Sequence, residues 1–217
     1  MAAHAAAPAL RLEPIQPGLP AEEIGKRLAS FTTATPDPQA LGVGVWLVPG
    51  AGIAELLQRL RDSAELRCDQ LLDITGIDYL AYPGWRGPRF AVVYLLKSTV
   101  FRHRITLKVQ LDEDEAELPS AHGVFPIADW LERETWDQYG IRFIGHPNPK
   151  RLLNHHEFVG HPLRKDYPVQ KRQHLSINDP MLDELTARLR QKGYQIVENE
   201  TVQVIGAAGN AYAEVER

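Results

Sequence analysis

The segment Arg89–Leu111, RFAVVYLLKSTVFRHRITLKVQL, holds two strands of different kinds. Its first part, Arg89 to Lys97, is a continuous apolar run, the pattern of a strand buried on both faces. From Phe101 to Leu111 the chain alternates instead. Phe101, His103, Ile105, Leu107, Val109 and Leu111 fall on one side; Arg102, Arg104, Thr106, Lys108 and Gln110 fall on the other. The acidic run Asp112 to Glu117 that follows reads as a solvated turn.

Upstream, Cys68 to Leu80 is apolar with aspartate punctuation, and Tyr82-Pro83-Gly84 begins a turn. Ile53, Leu56, Leu57 and Leu60 recur at helical spacing and predict a helix over about 51–63. Gly42 to Val48 reads as a strand stopped by Pro49-Gly50, and Thr32 to Gln39, with two prolines, as a loop. Ala21 to Phe31 is helical, with Ile24, Leu28 and Phe31 apolar. Residues 1–20, rich in Ala and Pro, are expected to form a disordered extension. Downstream, Pro126 to Tyr139 predicts a helix whose buried side carries Ile127, Trp130 and Leu131. The same wheel places Glu134 on that side, facing a cation such as Arg164, and turns Trp136 and Tyr139 away with Glu132 toward another surface. A further helix is expected over about 179–192 (Met181, Leu182, Leu185, Leu189), then a strand from Tyr194 to Ile205 and a mobile tail. The order of elements, with strands of antiparallel character, gives an α+β fold. It is a two-layer domain over 21–144 with a mainly antiparallel sheet and flanking helices. An extended partner-binding segment over 145–178 and a helix and strand over 179–217 follow.

Bulk numbers exclude several classes. The 217 residues suffice for one domain with a core plus an extension. Net charge is −4, against a dedicated nucleic-acid binder. One cysteine, Cys68, supplies neither an internal disulfide nor the thiolates of a usual iron–sulfur or zinc site, and is expected buried. The longest apolar run, Phe90 to Leu96, is far short of the roughly 20 residues of a membrane helix. The N-terminus lacks a basic start and a long apolar stretch, so the chain is expected to stay where it is made.

The stretch from Glu132 to Pro168, ERETWDQYGIRFIGHPNPKRLLNHHEFVGHPLRKDYP, carries the chemistry. Charge, histidine and proline with little hydrophobic period build no core of their own, so such a segment is ordered only when something else covers it, which points to a partner surface or an active site; the ribbon is expected to gain its shape by lying on neighbouring polypeptides. His146, His155, His156 and His161 with Glu157 are a metal candidate, but their spacing matches no helix-borne ligand pair. The alternative reading has His146 and His161, each inside Gly-His-Pro, bonding to backbone in tight turns. Gly42-Val43-Gly44 and Gly50-Ala51-Gly52 lack the further residues of dinucleotide or phosphate loops. No serine sits in a nucleophile elbow, and the pairs Glu132/Glu134 and Asp112/Asp114 are not placed for joint acid–base work. Between Gly145 and His174 six basic residues face two acids on an otherwise acidic chain. With Arg102, Arg104 and Lys108 this predicts a basic surface for an acidic partner, anionic lipid or RNA.

At these residues the chain resembles the 30 kDa (C-type) subunit family of the proton-pumping NADH:quinone oxidoreductase, respiratory complex I. The likeness rests on Glu132-Arg133-Glu134, Trp136, Asp137, Tyr139-Gly140-Ile141, Phe143, Gly145-His146-Pro147, Arg151, Gly160 and Pro162 to Pro168. Asp73-Ile74-Thr75-Gly76, Asp78-Tyr79 and Arg89 to Tyr94 add to it. Gln138, Pro149 and His155-His156 depart from the pattern, and the match fades after Arg172. The resemblance implies a scaffold subunit of the hydrophilic arm with no catalytic residue, flavin, metal or cluster of its own. FMN, iron–sulfur clusters and quinone would belong to partner subunits. The partners implied are the D-type subunit that forms the quinone site and the iron–sulfur subunits of the B and I types, with no nucleic acid. The membrane would be reached through those partners, at the cytoplasmic face of the bacterial inner membrane. Glu132, Arg133, Glu134, Trp136, Asp137, Tyr139, Gly140, His146, Pro147, Arg151, Gly160, Pro162, Arg164, Lys165, Asp166, Tyr167 and Pro168 are the expected interface and structural residues. A related hydrogenase or ferredoxin- or plastoquinone-linked complex, and an RNA-binding module using the basic loop, are the alternatives.

Overall fold

The structure, a computed structural model, describes residues 18–40, 44–171, 173, 180–196 and 204–205. The expectations of a disordered start and a mobile tail lie outside these residues. In chain order the elements are α1 (Ala21–Leu28), β1 (Thr35–Pro36), β2 (Val45–Leu47), α2 (Ile53–Asp62), β3 (Gln70–Asp78), β4 (Phe90–Lys97) and β5 (Arg104–Leu111). Then come β6 (Glu117–Pro119), α3 (Ala128–Tyr139), β7 (Arg142–Ile144), α4 (Pro180–Gln191), β8 (Gln195–Ile196) and β9 (Val204–Ile205). One compact unit ends at Lys171 and a second begins at Arg172. In the second, α4 precedes the antiparallel pair β8–β9, where the sequence predicted a single strand.

The first unit is built on a sheet of order β1-β2-β5-β4-β3. All its neighbours are antiparallel except β2 and β5, so the fold is α+β with a mainly antiparallel sheet. Register explains which residues form the core. Ile74, Tyr94, Leu107 and Trp46 stand side by side across β3, β4, β5 and β2, and all four are buried. Side chains opposite one another in a ladder share a face, and Ile24 and Leu28 of α1 and Ile53, Leu56, Leu57 and Leu60 of α2 join this row in one apolar cluster. Their spacing puts one stripe of each helix on the sheet, the arrangement that buries a half-apolar helix.

The second face is less covered than the apolar run suggested. Beyond Val92, β4 alternates between buried Tyr94 and Leu96 and half-buried Val93 and Leu95. Lys108, expected on a basic solvated face, is 6% exposed. Its ammonium reaches Asp37 at 2.8 Å and lies 5.0 Å from the Tyr79 ring centroid, because the turn after β3 and the chain after β1 fold over it. Arg102 is not in the strand at all; it occupies a turn with φ of +58°. The expected basic strand face is therefore corrected: its lysine is consumed internally. Thr35–Pro36, read as loop, pairs with β2 over two residues. The parallel pair β6–β7, unanticipated, follows the acidic turn.

Helix α3 lies against the free edge of β3. Thr135 Oγ1 donates to the Ile74 carbonyl at 3.1 Å, which closes part of an edge that would otherwise recruit another strand. Gly76 lets the helix come close: a Cβ there would sit 2.5 Å from the Tyr139 ring. This turns α3 by about a quarter to a third of a turn from the sequence reading: Leu131 keeps its place against the core, while Tyr139, expected to face outward, packs there as well. Ile127 and Trp130 are 54% and 62% exposed, whereas Glu132, Thr135, Asp137 and Gln138 are buried. Apolar periodicity misplaces the inner side because Ala128, Leu131 and Tyr139 share it with the hydrogen-bonded Glu132 and Thr135. Among the described residues no helix is long and apolar enough to cross a membrane.

Candidate functional site

Helix α3 ends in Asp137-Gln138-Tyr139-Gly140, and residues 145–171 form a ribbon bound to that end. Asp137 is the main anchor. Its Oδ2 accepts the backbone N–H groups of Leu152 (3.1 Å), Leu153 (2.9 Å) and Asn154 (2.8 Å). Its Oδ1 takes Asn154 Nδ2 at 3.1 Å and Arg151 Nη1 at 2.5 Å. Burial pushes this carboxyl up, but the donors from Asn154, Arg151 and Leu153 outweigh it and hold it down at about 2. A carboxylate with this many donors is stable only as the anion. Arg151 extends the anchor: it donates to the Gly160 carbonyl at 3.0 Å and lies over the Trp136 and Phe158 rings. Arg133 donates to the carbonyls of Lys150 and Arg151, both at 3.0 Å.

Farther along, the ribbon crosses the helix terminus. Gly140 caps α3 with φ of +78° and donates its N–H to Trp136. A Cβ at this position would meet Arg164 and His161 at 2.6 Å, so both conformation and space require glycine. His161 Nδ1 is 3.0 Å from the Asp137 carbonyl, and burial lowers its pKa. The Leu163 N–H reaches Gln138 O at 3.1 Å, and Arg164 Nε reaches Tyr139 O at 2.5 Å while its guanidinium lies over Phe90. The far end is clamped to the β3–β4 turn. Lys165 N–H donates to Asp78 Oδ2 at 2.8 Å, and Asp166 pairs with Arg89 at 2.9 Å. Arg89 also holds Asp78 and Glu113. Tyr167 stacks on Phe158 with ring centroids 5.8 Å apart, above Gly160.

At the near end, His146 packs under the start of α3. Its Nε2 lies 3.1 Å from the Asp129 carbonyl, and its Nδ1 accepts the Asn148 N–H at 3.0 Å. Both Gly-His-Pro histidines thus bond to backbone, as the turn reading predicts. Glu132 is fully buried beside it and accepts the Ala121 N–H and the Ser120 hydroxyl, each at 2.6 Å. Glu132 and His146 border a groove of about 260 Å³, with Trp136, Phe143, Ile144 and Pro149 among its lining.

The expected site residues mostly converge here, with two corrections. Glu132 is a buried residue, not an outward one. Glu134 is exposed, and Arg164 turns to the Tyr139 carbonyl instead of to it. Arg133, Trp136, Asp137, Tyr139, Gly140, His146, Arg151, Gly160, Arg164, Asp166 and Tyr167 all take part in the anchoring. Pro147 and Pro168 are exposed and Pro162 half-buried, while Lys165 contributes its N–H and leaves its side chain in solvent. The ribbon takes its shape from its own domain, correcting the expectation that only a neighbouring surface orders it. Asp78 and Arg89 were missed as site residues. Their signal was present, since pairing the two strands they terminate places them together. The His155 and His156 rings lie 4.2 Å apart and tilted by 37°, and among the described residues no group of three or more His, Cys, Asp or Glu is arranged to hold a metal ion.

The outer side of the ribbon is apolar and basic. Leu153, Val159, Leu163 and Val169 are 49–98% exposed, with Lys150, Lys165 and Lys171 exposed among them.

Comparison with known proteins agrees with this architecture. Residues 46–173 match the family described as respiratory-chain NADH dehydrogenase, 30 Kd subunit. The C-type subunit of the NADH-quinone oxidoreductase of Caulobacter sp. (strain K31) is 51% identical over 123 residues, 57% of this chain and 55% of that protein. That of Ralstonia nicotianae is 41% identical over 149 residues, 67% of this chain and 72% of that protein. The chain thus spans little more than half the length of its Caulobacter relative. Among solved structures, a trypsin-resistant fragment (1-134) of Nqo5 shares 31% identity at a TM-score of 0.49, covering 58% of this chain and 97% of its own. The archaeal membrane-bound sulfane sulfur reductase shares 22% identity at a TM-score of 0.52, covering 82% and 93%, and shows a common fold. The family match spans more than half of the chain and includes the whole anchored ribbon: the protein belongs to the family of the 30 kDa subunit of the respiratory-chain NADH dehydrogenase.

Proposed function

We propose that the chain is a non-redox scaffold subunit in the hydrophilic arm of a proton-translocating NADH:quinone oxidoreductase. Its task is to hold neighbouring subunits in register, while FMN and iron–sulfur clusters in those neighbours carry electrons to quinone. The D-type quinone-site subunit and the iron–sulfur subunits of the B and I types are the proposed partners. Attachment to the cytoplasmic face of the inner membrane then runs through them.

One observation carries this reading. The ribbon is fixed to its own domain by buried polar anchors, and it turns Leu153, Val159, Leu163 and Val169 to solvent. A segment shaped before docking loses less conformational entropy when it binds, so more of its apolar burial appears as affinity. The acids and bases of the site are engaged in holding backbone, an arrangement suited to positioning.

The test is affinity purification of the tagged chain from membranes. Flavin and iron–sulfur absorbance with NADH-dependent quinone reduction in the recovered material is the expected result. Leu163→Asp and Val159→Asp, on the exposed side, should cut that recovery about tenfold, the effect of losing one central apolar contact, while the purified variant stays folded. A chain recovered alone, or with a hydrogenase in place of flavin, overturns the reading.

A further inference from the structure

The groove of about 260 Å³ between α3, β7 and the start of the ribbon is walled by Trp136, Phe143, Ile144 and Pro149. That volume lies below the roughly 300–1,000 Å³ of sites that enclose a small molecule, and it suits the insertion of a large side chain. The apolar border continues over the surface. Ile144 is 54% exposed, and Trp130, 62% exposed, stands one turn before Arg133 as its neighbour on α3. Tryptophan and arginine are enriched where proteins bind one another.

The rim of the groove is basic. Arg133 and Arg142 line it, and Lys150, which follows Pro149, is exposed. Arg133 donates to the carbonyls of Lys150 and Arg151, neutral acceptors that leave its charge uncompensated. Lys150 enters no ion pair among the described residues. Arg142 meets Glu117 at 2.6 Å, both side chains being well exposed. The other acids nearby do not offset this excess. Glu132 is fully buried with its oxygens held by Ser120 and Ala121. Asp129 faces His146 Nε2 at 3.3 Å, and Glu134 is turned about 100° from Arg133 around the helix. A carboxylate brought in by the occupant meets these cations; a purely apolar segment would desolvate them without return. The same charges disfavour a second copy of this chain, since a two-fold contact sets the basic rim against itself.

We propose that this groove docks an extended segment of a different subunit, which inserts one large apolar side chain and carries an Asp or Glu within two positions of it. Residues up to two apart in an extended segment reach both the groove and its rim. The inference rests on the scaffold reading above and adds a second attachment to it. His146 and Pro149 belong to both groove and ribbon, so this site continues the ribbon's outer side, where Leu153 is the next exposed apolar side chain. The ribbon offers a broad apolar contact. The groove fixes register, through one inserted side chain and the charges that orient it.

The experiment puts photoreactive benzoylphenylalanine in place of Ile144 in the tagged chain, irradiates membranes that contain it, and sequences the crosslinked peptides by mass spectrometry. A parallel sample carries the probe in place of Leu163, on the ribbon. Expected from Ile144 is one segment of another polypeptide, with Phe, Tyr, Trp or Leu within two positions of Asp or Glu. Lys150→Glu, at an exposed side chain, should lower the Ile144 yield about fivefold and leave the Leu163 yield unchanged. Ile144 crosslinks confined to this chain or a second copy, or to a segment without a carboxylate, overturn the proposal. So does an Ile144 yield indifferent to Lys150→Glu. Crosslinking to another polypeptide from Leu163 but not from Ile144 overturns the groove and leaves the scaffold reading standing; crosslinking from neither position overturns both.

Discussion

In the sheet body, Tyr94, Leu107, Ile74 and Trp46 line up across four strands and are buried by helices that contribute leucines and isoleucines. In the ribbon, Leu153, Val159, Leu163 and Val169 point away from the domain, and attachment comes from Asp137, Arg151, Arg164, Asp78 and Arg89. The body is held by many weak, non-directional contacts that any apolar neighbour shares. The ribbon is held by a few directional ones, each made by a named atom. Loss of one body contact is spread over the cluster. Loss of one anchor frees a length of chain, because the donors it satisfied are left without a partner.

Asp137→Ala tests this contrast most severely. Removing one partner of a buried, hydrogen-bonded ion pair costs about 3–5 kcal/mol, and three ribbon N–H groups lose their acceptor as well. Limited trypsin digestion should then cut at Lys150 and Arg151 at least tenfold faster, while the urea midpoint of the body shifts little. A body midpoint lowered as much as the ribbon is loosened would show one cooperative unit and erase the distinction. Leu57→Ala is the converse probe. Leu57 is fully buried in α2, and a leucine-to-alanine cavity costs about 3 kcal/mol. Here the urea midpoint should drop, and ribbon and body should lose protection together, since the anchors stand on the body.

Acid gives a smaller effect that belongs to the ribbon alone. Asp137 has a folded pKa of about 2 against an ordinary 3.8. Its contribution is fully present above 3.8 and disappears as pH falls through 2, an effect of about 2 kcal/mol. Leu153 amide exchange, compared between the native chain and Asp137→Asn, should converge across that window. The two should stay apart at neutral pH. Convergence at neutral pH, or none in acid, would place the anchor elsewhere.

The same contrast accounts for what the sequence reveals. Strand β5, strand β3 and helices α1 and α2 are legible because alternation and helical spacing report burial directly. Lys108 misleads: the alternation places it correctly on the outer face, but Asp37, Tyr79 and Trp85 cover that face from distant parts of the chain. The pairs β1–β2 and β6–β7 engage two or three residues, too few for a period. The ribbon is legible as a motif and opaque as geometry. Its anchors pair residues up to 87 positions apart, as Lys165 with Asp78, and such pairings need the sheet register to be known first. Asp78 and Arg89 escaped for that reason.

Glu134 supplies the smallest and most discriminating prediction. A wheel phased on Ile127, Trp130 and Leu131 buries it, and a buried carboxylate there would make Glu134→Gln cost several kcal/mol. In the structure this residue is exposed, and the inward carboxyls of the helix are Glu132 and Asp137. Substitution at an exposed position away from caps and anchors changes stability by less than about 0.5 kcal/mol. Urea denaturation of Glu134→Gln should therefore overlay that of the native chain, with Leu153 exchange unaltered. A clear loss of stability would mean that α3 is rotated by about a third of a turn from its place against β3. Thr135 could not then reach Ile74, nor Asp137 the ribbon, and the polar anchoring that separates the two regions would fail with them.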